Sequence, residues 1–145
     1  MSASRYCAGV YSADVNVDEE CAERVAFTVR YSGDLCGAEA VLESYELTPD
    51  GLTITPQVEG GQLVEFVVPL LVTDGMAHAQ TQRLENGFQV TYDDAIYEAI
   101  VDDMDGLELV LATRHLPNSN GIYRLGRFVG PVAGRAFRLS ISSLS

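Results

Sequence analysis

The chain has 145 residues, enough for one domain with a sizeable core. The apolar fraction of 47% and the charged fraction of 21% are ordinary for a globular protein and exclude a disordered chain. The net charge of −12 disfavours binding to nucleic acid or anionic membranes. No apolar run is long enough to span a membrane, and the N-terminus lacks the charged and apolar regions of a signal peptide. We predict a single domain over residues 1–145, either complete or a fragment of a longer chain, and leave its cellular location open.

The first half of the chain predicts short strands separated by turns. A first strand is expected over residues 6–13, followed by an acidic turn over 14–20. Residues 24–31 are rich in β-branched and aromatic side chains and predict a strong strand, which Ser32-Gly33-Asp34 ends. Residues 40–47 and 52–55 form a predicted hairpin around Pro49-Asp50-Gly51, because Pro presets φ and Gly accepts a positive φ.

Residues 63–72 are the most apolar run, reading Leu-Val-Glu-Phe-Val-Val-Pro-Leu-Leu-Val. The short length and Pro69 argue against a helix, and the continuous apolar character predicts a core strand buried on most of both faces. Because Pro69 has no N–H to donate to a ladder, the C-terminal half of this strand is expected to be broken, bulged or at an edge.

The second half continues the same pattern. Strands are predicted, in chain order, over residues 77–84, 88–92, 95–101, 107–113, 122–129 and 136–142. For residues 95–101 a single helical turn is the alternative, and a strand is preferred. Residues 116–121 are predicted to be a loop. With no convincing helical period anywhere, the sequence predicts an all-β antiparallel β-sandwich of about ten short strands, with a barrel as the related alternative.

Charge and cysteine placement leave alternatives open. Residues 1–110 hold all 21 acids and four arginines, whereas residues 111–145 hold five arginines and no acid. Either the fold neutralises this asymmetry internally, or the arginines form a basic surface for a carboxylate or sulfate. Cys7, Cys21 and Cys36 are expected to be free thiols in a reducing compartment, or to include a Cys21–Cys36 disulfide in an exported protein.

No catalytic motif is present. There is no nucleophile in a G-x-S-x-G context and no phosphate-binding glycine loop, so we predict no catalytic residue and no cofactor. Asp102, Asp103 and Asp105 before Gly106 have some likeness to a calcium loop, but the spacing of an EF-hand is absent. Solvated turn carboxylates are the preferred interpretation, and no metal site is predicted.

A polar stretch is the best candidate for ligand contact. Alternation places His78, Gln80 and Gln82 on one strand face, with Tyr92 on a neighbouring strand. The loop that follows residue 113 adds side chains suited to sugar hydroxyls or carboxylates. The predicted ligand-binding residues are therefore His78, Gln80, Tyr92, Arg114, His115 and Asn118. The same pattern also fits the solvated face of an antiparallel sheet.

Two neighbouring segments resemble a known family. Residues 45–54, Tyr-Glu-Leu-Thr-Pro-Asp-Gly-Leu-Thr-Ile, are followed after a Gly pair by residues 64–75, Val-Glu-Phe-Val-Val-Pro-Leu-Leu-Val-Thr-Asp-Gly. This arrangement resembles the β-sandwich domain that follows the α/α-toroid in heparinase-type polysaccharide lyases, over about a third of the chain. The resemblance implies an accessory domain without catalytic residues, because in that family the reacting side chains lie largely in the toroid.

These observations lead to three functional expectations. The first is a non-catalytic accessory or binding domain of carbohydrate-active machinery, which binds an acidic oligosaccharide and loses that binding on Arg114→Ala. The second is a structural domain that forms a homo-oligomer or docks to another domain. The third is a small β-barrel enzyme with a cavity.

Overall fold

Alternating side chains and closely spaced turns produce an all-β fold, as predicted. The computed structural model describes residues 11–35, 38–119 and 121–143. Within these ranges the chain forms twelve antiparallel strands in two sheets, which confirms the predicted sandwich class. The strands are β1 (Tyr11–Glu20), β2 (Val25–Leu35), β3 (Ala38–Thr48), β4 (Gly51–Glu59), β5 (Glu65–Thr73), β6 (Gln80–Leu84), β7 (Gly87–Tyr92), β8 (Ala95–Val101), β9 (Glu108–Leu111), β10 (Leu116–Asn118), β11 (Gly121–Val129) and β12 (Phe137–Ser143).

The two sheets differ in size. The large sheet has eight strands in the order β1-β2-β3-β4-β12-β8-β7-β6. The small sheet has the order β10-β11-β5, and β9 also pairs with β11. Strand β12 lies between β4 and β8, so it joins the N-terminal meander, formed by β1–β4, to the meander formed by β6–β8. The sheets remain separate, so the alternative expectation of a closed barrel is wrong.

Four phenylalanines, two from each sheet, form the centre of the core. Phe66 stacks on Phe137 with ring centroids 4.0 Å apart, and Phe128 meets Phe88 and Phe137 edge-on at 5.4 and 5.0 Å. Such offset and edge-on contacts are the arrangements that aromatic rings prefer. The four side chains are almost completely buried, and together they hold the small sheet against one part of the large one.

The small sheet covers only part of the large sheet. One cross-strand row on the inner face is paired in register from Val17 through Phe27, Tyr45 and Ile54 to Phe137. Phe137 at one end of this row is 1% exposed, whereas Val17 at the other end is 60% exposed. The apolar inner face of the N-terminal meander therefore extends beyond the small sheet and is exposed to solvent there.

The central apolar run differs from its prediction. Strand β5 buries Phe66, Val68 and Leu70 on one face only, so the expected burial of both faces is wrong. The prediction for Pro69 is confirmed, because β5 is an edge strand of the small sheet and its register with β11 shifts near Val72.

Several predicted boundaries also change. Residues 14–20, expected to be an acidic turn, lie in β1, because pairing with β2 overrides the low strand propensity of their carboxylates. Strand β2 continues through Ser32-Gly33-Asp34 to Leu35. Residues 116–118, expected to lie in a loop, pair with β11 as β10. The part of the predicted first strand at residues 6–10 lies outside the described residues.

Candidate functional site: the outer face of the small sheet

The middle of the outer face of the small sheet is apolar. On β5 the outward side chains are Val67, Pro69 and Leu71, and on β11 they include Tyr123 and Leu125. They line a shallow depression of about 510 Å³, which also touches Asn118 and Gly121. Outward side chains of a sandwich are normally polar, so an apolar outer face is a feature to explain.

Polar groups border this depression at its two ends. The Arg127 guanidinium bonds the Glu65 carboxylate through Nε at 2.8 Å and Nη2 at 2.7 Å. At the opposite end Asn118 pairs with Gly121 across the short β10–β11 hairpin. We call the surface lined by Val67, Pro69, Leu71, Tyr123 and Leu125, with Asn118 at its margin, the outer groove.

Gly126 sets how closely the small sheet lies on the large one. A Cβ atom at this position would lie 2.9 Å from Leu70 Cδ1 and 2.9 Å from two ring carbons of Phe88. Real Cβ atoms essentially never approach other atoms this closely. The absence of a side chain at Gly126 therefore allows β11 to lie directly above Phe88, which fixes the position of the outer groove on the other side of the same strand.

The predicted polar surface is divided by the fold. Gln80 and Gln82 are exposed on the outer face of the large sheet, and His78 is exposed just before β6, where it forms a bridge to Thr73. Tyr92 pairs with Ala95, and the alternation along β7 puts Tyr92 on the inner face with Phe88 and Val90. Tyr92 therefore does not share a face with Gln80, and the predicted joint surface is not formed.

Tyr92 instead contacts the turn after β5. Its hydroxyl donates a hydrogen bond to Asp74 Oδ2, while the backbone N–H groups of Met76 and Ala77 each donate to Oδ1 at 2.8 Å. The Tyr92 bond and then these backbone bonds lower the pKa of Asp74 to about 2. Tyr92 also borders a second shallow depression of about 450 Å³ beside Ile141.

The other predicted ligand residues lie on the small sheet. Arg114 and His115 are exposed in the connection between β9 and β10, and Asn118 is in β10 at the margin of the outer groove. Of the six predicted residues, Asn118 is the one that lines this groove.

The acidic loop after β8 has structural roles. Asp102 accepts from the Ala136 N–H at 3.1 Å, and Asp103 accepts from the Asp105 N–H at 2.9 Å. Arg135 donates to the Asp103 carbonyl at 2.6 Å. Among the described residues no group of three or more His, Cys, Asp or Glu side chains is arranged to hold a metal ion.

The C-terminal arginines do not form one surface. Arg127 pairs with Glu65 and Arg135 with Asp103, so two of them neutralise acids from earlier in the chain. Arg124 lies on the inner face of β11 with Gly126 and Phe128, and its Nε is buried without a hydrogen-bond partner. Internal neutralisation therefore accounts for two of the five C-terminal arginines.

The carboxylate of Glu43 is buried on the inner face of β3, within the N-terminal meander. Glu43 is 1% exposed, and it accepts a hydrogen bond from the Tyr45 hydroxyl at 2.7 Å through Oε1, while Oε2 has no partner. Burial and then the bond to Glu43 raise the pKa of Tyr45. Tyr45 also stacks on Phe27, with ring centroids 4.8 Å apart. An unsatisfied buried oxygen makes this position sensitive to substitution.

Cys21 is an exposed free thiol, whereas Cys7 and Cys36 lie outside the described residues. The free thiol of Cys21 means that the alternative Cys21–Cys36 disulfide is not formed in this structure.

Sequence reasoning missed the outer groove. The apolar character of Val67, Pro69 and Leu71 was visible, but it was assigned to burial against a second layer. The signal that could have found it is a strand with apolar side chains on both faces and a proline, because the proline favours an edge position that leaves one face uncovered.

No protein-family model matches the chain, and no curated protein matches it in sequence. The described residues contain no helix that could cross a membrane. The resemblance to the lyase sandwich domain therefore stays a hypothesis, and functional proposals depend on the surfaces described above.

Proposed function

We propose that the protein is a non-catalytic binding domain that receives an apolar segment of a partner protein in the outer groove. The observation that carries this proposal is the uncovered apolar outer face formed by β5 and β11. Val67, Leu71 and Leu125 are only partly buried there, so a partner could remove their remaining surface from water. Each fully buried side chain of this size contributes about 1.5–3 kcal/mol.

The charge of the groove supports recognition by apolar contact. The chain carries 21 acids, yet none of the residues that line the groove is charged. Glu65, the acid on the outward-facing side of β5, is bonded to Arg127. An apolar centre with a polar margin is the usual composition of a protein–protein interface.

Charge also favours a different protein over a second copy. Two copies would bring together molecules with a net charge of −12 each, and their long-range repulsion opposes association. A neutral or basic partner avoids this repulsion.

Selection from a random peptide library on the full chain tests the proposal. Peptides selected on the wild type should be rich in apolar residues and should bind Leu125→Glu at least about tenfold more weakly, because a carboxylate would be desolvated in the groove. Leu47→Glu is the matched control, since Leu47 is an exposed leucine of the large sheet far from the groove in the strand order. Equal binding to both variants would contradict the proposal. A wild-type dimer that Leu125→Glu converts to a monomer would identify a second copy as the occupant instead.

Oligosaccharide binding is the second candidate, and one arrangement favours it. Tyr123 and Asn118 line the same depression, so a sugar ring could stack on the phenol while the amide bonds its hydroxyls. Arg114 precedes this hairpin and could attract an acidic sugar. In a glycan panel that includes acidic oligosaccharides, binding should be lost in Tyr123→Ala, kept in Tyr123→Phe and weakened in Arg114→Ala. No binding of any glycan to the wild type would exclude this candidate.

A further inference from the structure

Strand β1 has a long open edge. It pairs with β2 along one side, and no described strand pairs with its other side. Residues 13–20 are exposed. The N–H and C=O groups of alternate residues along such an edge point outward and are available to another strand.

The two faces of β1 have different chemistry. Val15 and Val17 lie on the inner face opposite Val29 and Phe27, and they are 64% and 60% exposed. Asp14 and Asn16 lie on the other face, opposite Arg30 and Thr28. Asp18 lies at the bulge after Val17, and its carboxylate accepts hydrogen bonds on this same face from Asn16 Nδ2 and Thr28 Oγ1, both at 2.9 Å. Strand β1 therefore presents exposed valines on one face and Asp14, Asn16 and Asp18 on the other, with a bulge between Val17 and Glu19.

Two of the other sheet edges are less suited to an added strand. Strand β6 has five residues, and its Arg83 is bonded to the Leu109 carbonyl of the small sheet at 3.0 Å. Strand β5 carries Pro69, which cannot donate to an added strand. Open backbone and exposed apolar side chains thus coincide at β1.

We propose that the outer edge of β1 binds an extended segment of a partner protein by strand addition, and that this segment alternates apolar and basic residues. Its apolar side chains extend the rows that contain Val15 and Val17, and its basic side chains face Asp14 and Asp18. This interface is separate from the outer groove and does not depend on it.

Charge opposes a second copy of this chain at the same edge, because β1 carries four acids and no basic residue. Antiparallel pairing of two β1 strands about Asn16 would set Asp14 of one copy against Asp18 of the other. Like charges directly opposite each other destabilise a sheet, and Arg30, which lies across from Asp14, is bonded to Glu59 through both terminal nitrogens at 2.9 Å.

Titration of the full chain with a short acetylated peptide of alternating Val and Arg tests this inference. Fluorescence anisotropy measures affinity, and amide chemical shifts map the site. Binding should shift the amides of β1 and weaken by about tenfold in Asp14→Arg/Asp18→Arg, because attraction becomes repulsion. The same variant should gain binding to a Val/Glu peptide. Asp50→Arg/Glu85→Arg, which makes the same change of four charge units in the exposed β3–β4 and β6–β7 turns, should leave the affinity unchanged.

Other outcomes overturn the inference. A peptide of the same composition with its Arg residues grouped at one end should bind much more weakly, and equal affinity would indicate charge attraction without strand pairing. Shifts confined to another surface, or no binding of the alternating peptide to the wild type, would also exclude the edge as its site. Self-association of the wild type that Asp14→Arg/Asp18→Arg changes would identify a second copy as the occupant.

Discussion

The hydroxyl of Tyr92 donates a hydrogen bond to the carboxylate of Asp74, and this bond joins the end of β7 in the large sheet to the turn after β5 in the small sheet. The same carboxylate caps the turn by accepting from Met76 and Ala77. One exposed acid therefore connects the two sheets at this end of the sandwich.

Tyr92→Phe should raise the pKa of Asp74 from about 2 toward its ordinary value of 3.8, because the first cause of the depression is removed. The depressed pKa contributes stability that is present above the unfolded value and is lost as the pH falls through about 2. NMR titration of the Asp74 carboxyl carbon measures the shift. Tyr97→Phe is the control, because the raised pKa of Tyr97 comes from burial and Tyr97 is not among the groups that lower the pKa of Asp74. An unchanged Asp74 pKa in Tyr92→Phe would contradict this assignment.

Tyr45→Phe should lower the free energy of unfolding by about 1–3 kcal/mol, because it removes the donor to the buried Glu43 carboxylate and keeps the ring that stacks on Phe27. Urea unfolding measures the change. In a Glu43→Leu background the same substitution should have little effect, since no carboxylate remains to be satisfied. Equal losses in the two backgrounds would show that the hydroxyl acts through another group.

Gly126→Ala should lower the free energy of unfolding by about 1–3 kcal/mol, because the new methyl group overlaps Leu70 and Phe88. Phe88→Leu removes the ring that the new methyl group overlaps, so the loss of stability caused by Gly126→Ala should be smaller in that background. Thermal unfolding of the two single variants and the double variant measures this coupling. Additive effects would place the limiting contact elsewhere.

Truncations along one row should reveal where the small sheet ends. Phe137→Ala should cost about 3–5 kcal/mol because it opens a cavity among the core rings. Val17→Ala, in the same row but 60% exposed, should change stability by no more than about 0.5 kcal/mol. Chemical denaturation compares the two. A large loss for Val17→Ala would mean that this end of the row is covered in solution.

The sequence predicted the fold class because local patterns determine it. Turn residues such as Pro49-Asp50-Gly51 and the alternation in residues 88–92 are visible without tertiary contacts, and both mark elements that the structure contains. The central apolar run was placed correctly as a strand, and the edge role of Pro69 followed from its missing N–H.

The failures have a common physical origin. Residues 14–20 were assigned to a turn because their acids disfavour strands, but their pairing with β2 depends on partners that the sequence does not reveal locally. Tyr92 and Gln80 were placed together because the strands neighbour each other, yet their parities put them on opposite faces. A one-residue difference in register decides such questions. The outer groove was missed for a related reason, since apolar character does not say whether a second layer covers a face.

The central position of β12 has a consequence for the order of assembly. Residues 137–143 leave the ribosome after all the strands with which they pair, so the facing edges of β4 and β8 stay open until β12 has been synthesised. Contacts over such long sequence separations form slowly, and unpaired edges favour aggregation in the meantime. A chain that stops before residue 137 would lack the strand that pairs with both β4 and β8, so the addition of β12, and not the formation of any single hairpin, is the step that completes the large sheet.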